Sequence, residues 1–275
     1  MAFPRTPARL RSALNDVGAS RSSLARILTV GAGLATLATG VIVACSDSAS
    51  PIKSGTFYGP VTTLSSGTAR SYVTLNESGV PTSVGVSLTE GALLGLPVVT
   101  TECVLALPAE ASRTPYKHVG VNWQPMGHPP VFMLPHFDVH FYMISEQERG
   151  AMTDANPQYA ASVAKTPTPE FIPTSLIRGA TDPRMGTHWP DPTGPEFNGQ
   201  PFTRTFIYGS YDGTFIFGEP MVTKAFLETK AAPSPLAIRL PSKYASPGYY
   251  PTTYSAGYDV ATKEYRISLS GLALR

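Results

Sequence analysis

The sequence predicts a mainly β (α+β) fold, in which a single β-sandwich or barrel-like domain carries a few short helices. The 27 prolines and 24 glycines break the chain often, and the 13 tyrosines and 12 phenylalanines are residue types common in strands. The dipeptide Asp212-Gly213, between two runs rich in aromatic residues, is a strong signal for a β-hairpin. No repeat of fixed period is present, so we expect one β-rich domain over residues 55–275.

The first predicted hairpin joins the runs 69–75 and 81–88. Residues 76–79 between them (NESG) have the composition of a hairpin turn. The next segment, residues 89–94, is closed by Gly95 and is expected to form one short helix.

Two further helices are predicted in the middle of the chain. Ser145 and Glu148 have the spacing of a capping box, and Asn156-Pro157 is expected to open a second helix that runs to about Lys165.

The last third of the chain is predicted to form strands. Residues 202–211 and 214–219 flank the Asp212-Gly213 turn, and two more strands are expected between residues 254 and 274, around a turn at Thr262-Lys263.

The first 44 residues have the layout of a lipoprotein signal peptide. Residues 1–26 contain five arginines and one acidic residue, and the 17 residues 27–43 are apolar. The tetrapeptide Ile42-Val43-Ala44-Cys45 is lipobox-like and predicts lipid modification of Cys45, followed by a flexible tether over residues 45–54. An ordinary transmembrane anchor is the alternative, because 17 apolar residues reach the lower bound for a membrane span.

Both readings place the protein in the cell envelope, outside the cytoplasm and tethered to a membrane. With Cys45 assigned to lipid, Cys103 is the only other cysteine, so no internal disulfide is expected. Cys103 lies in an apolar run and is predicted to be buried rather than nucleophilic. The net charge of +2 and the lack of a basic patch argue against a nucleic-acid partner. The sequence leaves open whether the protein forms a homo-oligomer and whether it has a small-molecule substrate.

The histidines are the most informative polar residues. Four of the five lie within 23 residues, between His118 and His140. Imidazole is the commonest metal ligand and titrates near neutral pH, so this cluster predicts a metal site or an acid–base site.

The segment from Pro135 to Ile144 alternates polar and apolar residues, which favours a strand over a helix. One face of that strand would be apolar, and the other would carry His136, Asp138, His140 and Tyr142. A helix beginning at Pro135 is the alternative, and it would place the two histidines one turn apart.

Two residues outside the cluster complete a predicted metal site. Counting from the hairpin turn places Glu219 opposite Phe206 on an aromatic sheet face, where a carboxylate is costly unless it meets a cation or keeps its proton. In the alternative reading Glu219 lies at the strand end, just before Pro220, and reaches water. His188 is predicted to lie on a loop, where reactive groups often occur. The predicted ligands of a divalent transition metal (Zn, Fe, Mn or Ni) are His136, His140, His188 and Glu219.

Other roles are open for these residues. His118 and His128 are expected to pack or to support the site, Asp138 is a candidate general base, and Tyr142 is a candidate acid. Whether the protein is an enzyme is left open. In the alternative reading the histidines only pack, and the chain is a non-enzymatic envelope protein that binds a partner or self-assembles.

Three segments of the chain, PHFDVHFY (135–142), MGTHW (185–189) and FIYGSYDG (206–213), resemble a family of exported bacterial β-rich domains of unassigned function. The resemblance covers roughly residues 55–229. It implies a shared histidine-rich site on a β scaffold, and an oligomer is one arrangement in which such domains could occur. The mixed imidazole and carboxylate set is also similar in part to that of cupins, although their first motif pairs two histidines two residues apart. Dioxygenase or isomerase chemistry is implied by this analogy alone.

Overall fold

Two antiparallel sheets of seven strands each pack face to face in the computed structural model, which describes residues 54–275. The strands of the first sheet, numbered in chain order, are β1 (Gly55–Tyr58), β2 (Thr62–Leu64), β3 (Gly67–Leu75), β4 (Pro81–Thr89), β12 (Leu236–Ala237), β14 (Thr253–Asp259) and β15 (Glu264–Ser270). They are ordered β1-β3-β4-β15-β14-β12, and β2 pairs with β3.

The second sheet carries the histidines. Its strands are β5 (Thr101–Ala106), β6 (His118–Gln124), β7 (His136–Tyr142), β8 (Thr181–Asp182), β9 (Gly186–Trp189), β10 (Arg204–Tyr211) and β11 (Thr214–Thr223). Their order is β5-β6-β7-β11-β10-β9-β8, so this sheet has two edges and is open within the described residues.

The remaining elements are short. A two-stranded sheet pairs β13 (Tyr249–Tyr250) with β16 (Ala273–Leu274). The α-helices are α1 (Glu146–Gly150), α2 (Tyr159–Ala164) and α3 (Lys224–Glu228), and the 3-10 helices are Glu90–Leu93, Ala109–Arg113, Pro169–Phe171 and Pro195–Asn198. The prediction of a mainly β fold with a few short helices is confirmed.

The main hydrophobic core lies between the two large sheets. Val84, Val86 and Leu88 of β4 belong to the same buried cluster as Val121 of β6 and Val139 of β7. Complete burial of side chains of this size stabilises a fold by roughly 1.5 to 3 kcal/mol each. Cys103 is buried against this core, as predicted.

The local turn signals were read correctly in most places. The antiparallel pairs β3–β4, β10–β11 and β14–β15 match the predicted hairpins, and the segment after β4 forms a 3-10 helix. Ser145 and Glu148 form the predicted capping box at α1. Asp212 and Gly213 both have positive φ, the backbone of a type I′ hairpin turn.

The second predicted helix begins later than expected, at Tyr159. The side chain of Asn156 accepts a hydrogen bond from the backbone N–H of Gln158 at 3.0 Å. Such a local side-chain turn competes with helix formation, so the helix begins only after it.

His188 corrects a second prediction. It lies in strand β9 and not on a loop, because β9 is held between β8 and β10, with His188 paired to Gly209.

The described residues all belong to one compact unit. The predicted signal peptide 1–44, Cys45 and the tether up to residue 53 lie outside the described residues. In residues 54–275, no helix has both the length and the apolar character needed to cross a membrane.

Candidate metal centre

Strand β7 is the axis of the candidate site, and the prediction that this segment is a strand is confirmed. Phe137, Val139 and Phe141 face the main core. The opposite side of the second sheet, here called the histidine face, carries His136, Asp138, His140 and Tyr142 of β7. All seven residues of β7 are buried, so both faces of the strand are covered.

Two small apolar clusters cover the histidine face. Tyr142 packs with Met152 and Tyr159, which lie next to α1 and in α2. Phe132 and Phe202 pack together over the other end of the face. Because water is largely excluded here, unpaired polar groups on this face carry a high energetic cost.

The first set of converging donors, here called the Glu219 group, consists of His140, His188 and Glu219. One donor atom from each residue lies within 4.8 Å of the other two. The Nε2 atoms of His140 and His188 are 3.4 Å and 3.9 Å from Oε2 of Glu219. Neither ring nitrogen of His140 has a hydrogen-bond partner, and Oε2 of Glu219 has none.

Glu219 reaches this group because the hairpin β10–β11 contains a bulge. The register shifts between Gly209 and Ser210, so that Glu219 pairs with Ile207. The prediction that Glu219 lies opposite Phe206 is therefore wrong, because a slip of one residue moves every later side chain to the other face. Phe206 faces the main core instead.

Burial sets the protonation of the Glu219 group. It lowers the pKa of His140 to about 3 and also lowers the pKa of His188, so both imidazoles are neutral near pH 7. Burial raises the pKa of Glu219 well above its usual range, and the charge of Asp138 adds to this effect. A neutral imidazole is the form that binds a metal, and a cation would compensate the buried carboxylate.

The hydrogen bond that His188 makes outside the group fixes its orientation. Its Nδ1–H donates to the backbone carbonyl of Ala180 at 3.2 Å, because a carbonyl can only accept. Nε2 of the neutral ring therefore presents its lone pair towards Glu219. Metal-binding histidines commonly have this second hydrogen bond.

A second set of donors, here called the Asp138 group, consists of His128, His136 and Asp138. Nε2 of His136 lies 2.9 Å from Oδ1 of Asp138 and 3.2 Å from Nε2 of His128. Each of the two groups thus offers two imidazoles and one carboxylate, and either could hold a metal ion.

The structure divides the four predicted metal ligands between these groups. It brings His140, His188 and Glu219 together, whereas His136 belongs to the Asp138 group. His128 was expected to pack or to support the site, and it is instead a donor of that second group. For the predicted metal site, the structure shows two groups of side chains that could each hold a metal ion.

His128 reaches the Asp138 group through a tight turn that sequence reasoning overlooked. The backbone of His128 bridges to Phe132. Its imidazole Nε2 then lies 3.2 Å from Nε2 of His136 in β7. Gly127 precedes His128 with φ +63°, and a Cβ there would lie 2.2 Å from the carbonyl oxygen of Phe132. This glycine, followed directly by His128 and two prolines, was the available signal.

The ring of Tyr142 contacts both His140 of the Glu219 group and the buried guanidinium of Arg149. This ring stacks on the rings of His140 and His118, with centroid separations of 5.5 Å and 4.7 Å. The guanidinium of Arg149 lies 4.4 Å from the ring centroid, and it forms an ion pair with Glu102. His118 therefore packs at the margin and is in neither donor group.

The pKa values of the two candidate acid–base residues are shifted away from neutrality. Burial raises the pKa of Tyr142 far above its usual range. Burial also favours protonated Asp138, but its contacts with His128 and His136 outweigh this and lower the pKa of the carboxyl. General acid–base catalysis works best when both pKa values lie near the working pH.

Two cavities have volumes of about 430 Å³ and 450 Å³. The first is lined by aromatic residues that include Tyr116, Tyr208 and Tyr244, and the second by residues that include Asp191 and Arg204. Neither cavity is lined by a residue of the two donor groups.

Residues 76–123 match a family model described as "TTHB210-like: Hypothetical protein TTHB210". This stretch runs from the turn after β3 to the end of β6, so the chain is similar there to an uncharacterised family. The match ends before His128 and includes no residue of the two donor groups. No curated protein and no solved structure matched the chain.

Proposed function

We propose that this protein is an exported, membrane-tethered lipoprotein that binds a divalent transition metal through His140, His188 and Glu219. The observation that carries the proposal is the buried, unpartnered imidazole of His140, which faces the buried carboxyl of Glu219. A buried polar atom without a partner costs about 1 to 3 kcal/mol. One cation bound by these three residues would remove that cost at several atoms together.

The donor set supports a transition metal rather than calcium or magnesium. Two imidazoles and one carboxylate suit Zn, Fe, Mn or Ni, whereas calcium and magnesium prefer oxygen donors. Three protein ligands leave at least one position for water or another molecule, as in catalytic zinc sites. When bound, the ion would supply Lewis acidity at that position.

We propose metal binding, and we do not assign acid–base catalysis to Asp138 and Tyr142. Their pKa values are shifted in directions that weaken a base and an acid respectively. Neither of the two cavities is lined by a residue of the two donor groups.

Elemental analysis of the full chain, purified without a histidine tag and supplied with Zn, Fe, Mn and Ni, tests the metal proposal. We expect His140→Gln and Glu219→Gln each to lose one equivalent of metal relative to the wild type. His118→Gln is the matched control, since His118 is equally buried on the same face but belongs to neither group. Equal metal content in all four proteins would overturn the proposal and favour the alternative in which the histidines only pack.

The lipid anchor has its own test, and the two cysteines of the chain provide variant and control. Radiolabelled palmitate should label the wild type and Cys103→Ala, but not Cys45→Ala. The Cys45→Ala chain should also appear in the soluble fraction if lipid is the anchor. Labelling that persists in Cys45→Ala would overturn the lipoprotein part without affecting the metal part.

A further inference from the structure

The Asp138 group has the dimensions of a metal site in its own right. Ligand atoms about 2.0 to 2.2 Å from a tetrahedral ion are separated from one another by about 3.3 Å. Nε2 of His136 lies 2.9 Å from Oδ1 of Asp138 and 3.2 Å from Nε2 of His128. Nε2 of His128 lies 3.8 Å from the other carboxylate oxygen, Oδ2. The first two separations share Nε2 of His136 and lie within about half an ångström of the tetrahedral value. One donor atom from each of the three residues lies within 4.8 Å of the other two.

The imidazole of His136 is oriented as a ligand. Its Nδ1–H donates to the backbone carbonyl of Leu134 at 2.6 Å, so Nε2 is the ring nitrogen available to bind a metal ion. Nε2 then faces a carboxylate oxygen and another imidazole nitrogen.

Asp138 is held in the same way. The side-chain N–H of Gln124 donates to Oδ2 of Asp138 at 3.1 Å, which fixes the carboxylate plane. Oδ1 has no hydrogen-bond partner, although Nε2 of His136 lies 2.9 Å away.

A single proton cannot satisfy this arrangement. The proton can form a hydrogen bond between two of the three converging donor atoms. The lone pair of the third donor atom then faces another lone pair. A divalent cation accepts lone pairs from all three at the same time, and the negative charge of Asp138 stabilises it.

The Asp138 group is also more accessible than the Glu219 group. The side chain of His128 is 38% exposed, whereas the most exposed side chain of the Glu219 group, that of His188, is 13% exposed, and those of His140 and Glu219 are 1% and 2% exposed. His128 comes from the loop between β6 and β7, on which the neighbouring Met126 is also exposed. We therefore expect an ion held here to exchange with solvent on the side of His128.

We infer that His128, His136 and Asp138 form a second divalent transition-metal site, which exchanges its ion faster than the site at Glu219. Both sites use alternate residues of β7, but they share no ligand. The second site therefore does not depend on the first, and each can be removed without deleting a ligand of the other.

Zinc is the probe for this test, with the full chain purified without a histidine tag. Zinc content is measured after gel filtration, and release is followed with a chromophoric chelator added in excess. The wild type is expected to hold two equivalents, with one fast and one slow phase of release. His128→Ala should lose one equivalent together with the fast phase, and Glu219→Gln should lose the slow phase. Met126→Ala is the control, because it alters an exposed side chain of the same loop and should keep both phases.

The outcomes separate this inference from the proposed function. If His128→Ala keeps the zinc content and both phases of the wild type, the second site is refuted. If Glu219→Gln alone is unchanged, the first site fails and the second stands. His128 is partly exposed, so we expect His128→Ala to unfold in urea at the same midpoint as the metal-free wild type. If that midpoint shifts, the second variant is Asp138→Asn, which retains the size of the side chain. Zinc content equal to that of the wild type in Asp138→Asn would again refute the second site.

Discussion

Gly209 is the position where we expect one added methyl group to disturb the histidine face most. A Cβ at this position would lie 2.0 Å from two ring carbons of Phe217. Non-bonded carbon atoms normally stay at least about 3.5 Å apart, so in Gly209→Ala the ring must retreat by about 1.5 Å. The ring cannot do so freely, since it packs against His140 and His188 with centroid distances of 4.8 Å and 5.5 Å.

Two effects of Gly209→Ala follow from this geometry. Overpacking of a well-packed interior typically costs about 1 to 3 kcal/mol, and we expect about 2 to 3 kcal/mol because the Phe217 ring is completely buried. Metal ligands tolerate displacements of only about 0.2 Å. The zinc affinity of the Glu219 group should therefore fall by about tenfold or more, within the range known for residues that support ligands.

Two other glycines provide controls measured in the same urea denaturation and zinc titrations. A Cβ at Gly218 would lie 2.9 Å from the ring of Phe206 on the core side of the sheet, so Gly218→Ala should lower stability but leave zinc affinity unchanged. Gly150 has open space around it, so Gly150→Ala should change neither by much. Unchanged zinc affinity in a destabilised Gly209→Ala protein would refute the idea that Phe217 positions the imidazoles.

Three further predictions concern stability, each measured by urea denaturation of the metal-free protein. Burial lowers the pKa of His118 from 6.5. Its contribution to the unfolding free energy is fully present above pH 6.5 and is lost as the pH falls, because the unfolded chain then takes up a proton that the folded chain does not. His118→Gln should therefore flatten the dependence of the unfolding free energy on pH between 7.5 and 5.5, and an unchanged slope would contradict this. Arg149→Met removes a buried partner of Glu102 and should cost about 3 kcal/mol, whereas a loss below about 1 kcal/mol would show the pair to be unimportant. Ser145→Ala removes the N-cap of α1 and should cost about 1 kcal/mol, with faster amide exchange in that helix as the second readout.

Sequence reasoning succeeded where the structural signal is local. The Asp212-Gly213 turn, the capping box of Ser145 and the alternation along β7 each involve residues within one element. The conformational preference of the backbone and the burial of one face are enough to specify such features.

It failed where one residue changes a register or where a distant strand supplies a pairing partner. Ile216 is left unpaired opposite the Gly209–Ser210 step, and nothing in the composition of β11 marks it as the extra residue. His188 reads as a loop residue by its neighbours, yet pairing with β10 makes it part of a strand. Both outcomes depend on contacts between elements that a local pattern does not contain.

The spacing along β7 explains why the candidate ligands separate into two groups rather than one. Residues four apart in an ideal strand are separated by about 13 Å, so His136 and His140 cannot readily hold the same ion unless the strand bends. β7 is regular, pairing with β6 without interruption from His136 to Tyr142. Each histidine instead meets a second imidazole and a carboxylate: His136 meets His128 and the neighbouring Asp138, and His140 meets His188 and Glu219. The regularity that identified β7 as a strand is thus the same property that excludes a single shared ion.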